Sequence, residues 1–98
     1  MDDDFDESKA VGRFPKLTRN NYREWLDLIE DVLTSKGLWQ IANSSGREPA
    51  SKAEFEAFQQ KDAKAVAFLK QAAGAETRQH LIGMRKSSEI LRKIRALH

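Results

Sequence analysis

Leu17-Thr18-Arg19-Asn20-Asn21-Tyr22-Arg23-Glu24-Trp25 and, closing the same stretch, Lys36-Gly37-Leu38-Trp39 hold both tryptophans of this 98-residue chain. Between the two rings, Tyr22, Trp25, Leu26, Ile29, Val32 and Leu33 recur at the three-and-four spacing of one helical face, while Arg23, Glu24, Asp27, Glu30 and Asp31 take the other. The pattern predicts a helix from about Tyr22 to Lys36. Asn21 is a residue type favoured at N-caps, and Glu24 stands where it would complete a capping box. Gly37 can adopt the left-handed conformation that ends a helix, and Leu38 falls where a Schellman turn places its apolar contact, against Leu33. Leu38, Trp39 and Ile41 then read as a short helical turn over the core. Both indoles belong to one packing unit, and core burial is their direct role.

Upstream, Phe14-Pro15 starts an extended segment, because proline disfavours helix at the residue before it, and Leu17 is its anchor on the domain. Residues 1–13 read as an acidic, disordered arm. Downstream, Asn43 to Pro49 is a loop by composition. Ser51 with Glu54 makes a second capping box, opening a helix from about Lys52 to Ala73 with the stripe Phe55, Phe58, Ala65, Val66, Leu69 and Ala73. Asp62 falls within that stripe, so its carboxylate is expected to accept from an indole N–H, a capping amide or a lysine. Gly74 is the natural stop. A short third helix, about Glu76 to Ile82, ends at Gly83, and Ser87 caps a fourth that carries Ile90, Leu91, Ile94 and Leu97 on one face. No stretch alternates as a strand would. The expected fold is all-α, one domain over residues 14–98, built as a small bundle of four to five helices.

The chemistry of the residues is structural rather than reactive. With no cysteine there is no disulfide, no thiolate zinc site and no cysteine nucleophile. His80 and His98 are far apart, the serines stand at caps and loops, and the glycines are isolated, so no catalytic, metal-binding or cofactor-binding residue is assigned. No apolar run approaches the roughly 20 residues of a membrane span. Met1-Asp2-Asp3-Asp4 is too acidic for a signal peptide, and the expected location is cytoplasmic. The formal net charge of +2 is uneven. Asp2, Asp3, Asp4, Asp6 and Glu7 are five of the 15 acids, and setting them aside leaves ten against 17 bases. From Arg78 onward, Arg78, Arg85, Lys86, Arg92, Lys93 and Arg95 face a single acid, Glu89. Such an end permits contact with RNA or an acidic partner. A helix–turn–helix reading would place Ser88, Arg92 and Arg95 in a major groove, with Arg85 and Lys86 on phosphates.

The blocks quoted above resemble the N-terminal capsid region of Gag from copia-type long-terminal-repeat retrotransposons. That pattern has a leucine, a polar stretch, Asn-Tyr and a tryptophan three residues later, here Leu17, Asn21-Tyr22 and Trp25. An amphipathic helix containing Ile29 then leads into Gly-Leu-Trp, here Gly37, Leu38 and Trp39. After a variable loop come an aromatic, Lys-Asp and an alanine-containing helix, here Phe58, Lys61-Asp62 and Lys64-Ala65, with Leu69 further along. A last helix places Leu91 and Ile94. Phe58 and Leu91 stand where tryptophan is common, and both keep an apolar character. The resemblance covers residues 14 to 98 and implies a capsid-like domain without enzymatic activity. Such a domain takes itself as partner, assembling into virus-like particles around element RNA, with no cofactor, small-molecule substrate or membrane. Arg85, Lys86, Arg92, Lys93 and Arg95 form the expected surface for RNA or a partner. A zinc knuckle, frequent further along in the family, is not in this sequence, so its RNA-packaging role is not carried over. The alternative is a domesticated, gag-derived helical adaptor that binds a protein or nucleic acid.

Overall fold

A computed structural model describes residues 14–44 and 48–98. Among these residues there are five α-helices and no strand: α1 (Tyr22–Ser35), α2 (Trp39–Ala42), α3 (Lys52–Ala72), α4 (Gly74–Arg78) and α5 (Ser87–Leu97), with a 3-10 turn at Gln79–Leu81 between the last two. The fold is the small all-α bundle that the periodicity implies. The expected arm at residues 1–13 lies outside the described residues.

α1 forms where the apolar spacing places it and buries Trp25, Ile29 and Leu33, four residues apart on one face. Tyr22, Leu26 and Val32 flank that line, half-buried against the core. The helix ends as a Schellman turn. Gly37 takes φ +71°, Leu38 N–H donates to Leu33 O at 2.7 Å, and Gly37 N–H donates to Thr34 O at 3.0 Å. Leu38 is buried beneath that turn.

The helix start differs from expectation. Asn21 is the boundary residue but its side chain makes no cap. It turns backward, accepting from Thr18 N–H at 2.7 Å and donating to Lys16 O at 2.9 Å. Asparagine side chains compete for nearby backbone in this way. Here the competition closes the 16–21 turn and leaves the predicted capping box unformed.

α3 spans 21 residues, about 30 Å at 1.5 Å per residue. Ser51 caps its start, accepting from Glu54 N–H at 3.1 Å. Its buried line is Ala65, Phe68, Leu69 and Ala72. Phe68 is absent from the predicted stripe, although it follows Ala65 by three positions. Phe55 and Phe58 are only half-buried, because the first half of α3 has less of the molecule against it. α3 lies against α5 and α2, and α2 also touches α5 and α1. The predicted third helix starts two residues early, at Gly74, and tightens into the 3-10 turn before Ile82. In α5, Ile90, Leu91 and Ile94 are fully inside, but Leu97 is 39% exposed, so the apolar face does not stay covered to its end.

Candidate functional site

Two residues of the sequence motif, Leu17 and Trp25, meet at the C-terminal end of α3. The last four carbonyls of any helix lack intrahelical partners, and in α3 two of them, Gln71 O and Ala72 O, are served from outside the helix. Trp25 Nε1–H donates to Ala72 O at 3.0 Å, from a ring that is fully buried. Leu17 N–H donates to the same oxygen at 3.3 Å, and Lys16 Nζ donates to Gln71 O at 2.8 Å. Leu17 is therefore the anchor expected of it, 5% exposed. The crossing is close: a Cβ on Gly74, at φ +82°, would meet Leu17 O at 2.9 Å. Gly74 both ends α3 and lets the extended segment pass over it.

Phe14 completes this junction. Its ring meets Trp25 edge-on at 6.4 Å between centroids and Phe68 edge-on at 5.7 Å, the arrangement aromatic quadrupoles favour. Lys36 Nζ lies 5.6 Å from the Phe68 centroid, a cation–π distance. Sequence reading missed both phenylalanines. Phe68 could have been found from its spacing to Ala65, whereas Phe14 carries no periodic signal.

A second junction is built on Asp62. Its Oδ1 accepts from Ser87 N–H at 3.1 Å and from the Ser87 hydroxyl in a short contact. Asp62 thus closes the start of α5 from a different helix, and a carboxylate there also faces the positive end of the helix dipole. The expectation that Asp62 would accept from a capping amide holds. The expectation that Ser87 itself caps α5 does not: Ser87 is the first residue of the helix, Lys86 is the boundary residue, and no side chain of α5 makes a cap bond. The carboxylate of Asp62 takes the acceptor role that a capping hydroxyl would have, accepting the Ser87 N–H itself.

The remaining motif residues divide between interior and surface. Leu69, Leu91 and Ile94 are buried. Trp39 and Tyr22 are half-buried at the core's edge, so only one of the two indoles is fully enclosed. Tyr22 stacks on His98 with centroids 5.3 Å apart and planes 9° from parallel, and His98 Nε2 lies 3.3 Å from Thr77 Oγ1. A shallow pocket of about 390 Å³ opens there beside Arg19, Glu76 and His80.

Arg85, Lys86, Arg92, Lys93 and Arg95 are all exposed, and Arg95 Nη2 also donates to Asn43 Oδ1 at 2.9 Å across to the end of α2. Ser88 is 7% exposed and so is unavailable to a major groove. This corrects the helix–turn–helix placement, which needs Ser88 on the outside. Among the described residues, no group of three or more His, Cys, Asp or Glu is placed to hold a metal ion, and no helix is long and apolar enough to cross a membrane. No protein-family model, curated protein or solved structure matches this chain.

Proposed function

We propose that this chain is a non-enzymatic assembly module of the copia-type Gag capsid class, a rigid helical unit that self-associates through weak, repeated contacts into virus-like particles inside the cell. The observation that supports this best is how the motif residues are used. Leu17 and Trp25 share one carbonyl at the end of α3, Gly37 and Leu38 close α1, and Asp62 closes α5. The first and last of these tie separate elements together and the second fixes where α1 ends, and a building block of a shell requires that rigidity. A unit of this kind needs no reactive centre, cofactor or small-molecule substrate. Its outer helix faces carry charge, and many contacts of low affinity add up through multivalency. Weak RNA contact would fall to the exposed Arg85, Lys86, Arg92, Lys93 and Arg95, with a steep loss of affinity as salt rises.

Static light scattering and electron microscopy at rising protein concentration, with and without RNA, test the reading. Growth beyond the monomer is expected. A monomer mass that stays constant up to millimolar concentration overturns it.

A further inference from the structure

One apolar side chain stands clear of the surface. Ile82 is 79% exposed at the tip of the turn between the 3-10 segment and α5. The turn is held from both sides: Leu81 is buried, Met84 packs against the core, and Met84 N–H donates to Leu81 O at 3.1 Å. A branched aliphatic group is therefore presented to solvent from an anchored base. Within four residues of it stand Arg78, Arg85 and Lys86, all exposed, and no acid.

A pocket of about 290 Å³ lies elsewhere, lined by Thr34, Gly37, Trp39 and Gln40. Gly37 leaves open space where a side chain would stand, and the half-buried Trp39 supplies the apolar wall. Thr34 is on the outer side of α1, and Glu30 and Asp31 sit one turn before it on that face, both exposed. α1 as a whole carries Glu24, Asp27, Glu30 and Asp31 against Arg23 alone. The molecule thus has an apolar peg flanked by bases and a pocket walled by Trp39 that lies one helical turn beyond two exposed acids. They belong to different elements, and the exposure of Ile82 shows that it does not fill its own chain's pocket.

We infer that Ile82 of one copy seats in the Trp39–Gly37 pocket of a second copy, with Arg85 and Lys86 facing Glu30 and Asp31. The inference rests on the self-association reading above and names its contact. Peg and pocket are different patches, so the contact is head-to-tail and propagates into rings or open chains rather than stopping at a two-fold dimer. A single aliphatic side chain against part of one indole makes a weak contact, which repetition strengthens. The opposed charges steer approach and fix orientation.

Analytical ultracentrifugation of the full chain over a concentration series tests this. Ile82→Ser removes the peg and Gln40→Arg blocks the pocket. Both positions are exposed, and circular dichroism checks that each variant is folded. Each is expected to raise the concentration for half-association by about ten-fold or more, as loss of a buried aliphatic side chain implies. Mixed together, the two variants should form two-chain species and nothing larger, because one keeps its pocket and the other its peg. Arg85→Glu and Asp31→Lys should each weaken association, and the double variant should regain it. If the wild-type chain associates and Ile82→Ser associates equally well, the contact is wrong and self-association stands through another face. If the wild-type chain stays monomeric, both fall. If Arg85→Glu abolishes RNA binding but leaves association unchanged, the bases flanking the peg serve RNA and the proposed contact is overturned.

Discussion

The two ends of α3 are held in opposite ways. At its start, Ser51 reaches three residues along the chain to Glu54 N–H. At its finish, Lys16, Leu17 and Trp25 come from about fifty residues away in sequence to take the Gln71 and Ala72 carbonyls. The first end is a property of a short peptide. The second exists only once α1 and the extended segment have docked. The comparison teaches that one end of the longest helix is held by its own neighbours in sequence and the other by distant segments. Loss of the distant clamp there releases two segments at once, whereas loss of the local cap frays one turn.

That difference can be broken or sharpened by substitution, each variant read by urea denaturation followed by circular dichroism. Trp25→Ala should cost about 3–5 kcal/mol, because a fully buried ring leaves a cavity and the Ala72 carbonyl loses a donor; a loss below about 1 kcal/mol would mean the ring is not the clamp. Gly74→Ala should cost about 2–3 kcal/mol, since an L side chain resists φ +82° and its Cβ crowds Leu17 O. Asp62→Ala should cost about 1–2 kcal/mol by leaving Ser87 N–H and its hydroxyl without their acceptor. Ser51→Ala should cost only about 1 kcal/mol, the usual value of a local cap. Combined with Gly74→Ala, its effect should add to within about 0.5 kcal/mol, because the two ends of α3 share no partner. A strong departure from additivity would show that the ends are coupled.

The same division separates what was legible in the sequence from what was not. Apolar spacing predicts α1 almost to the residue, and the Gly37-Leu38 pair announces its Schellman end, because both depend on contacts within one helix or one turn. Ser51 with Glu54 is legible for the same reason. Asn21 misleads: it can cap forward or close a turn backward, and only the docking of residues 16–18 onto α3 selects the second. Ser87 misleads likewise, because its hydroxyl finds a carboxylate 25 positions upstream that no local rule displays. Phe14 lies in a segment with no period, so nothing local marks it as the third ring of the Trp25–Phe68 cluster. At the surface, the helix–turn–helix pattern suggests an outward Ser88, yet folding buries it.

The sequence by itself determined that this protein is helical, where α1 and α3 begin, and how α1 ends, since spacing, caps and a left-handed glycine act through bonds a few residues long. Only the tertiary structure decided which groups close the far end of α3 and the start of α5, how deeply each indole is enclosed, and that Ile82 is left in solvent. Those outcomes depend on atoms brought together across dozens of residues, and their geometry exists only when the helices have packed.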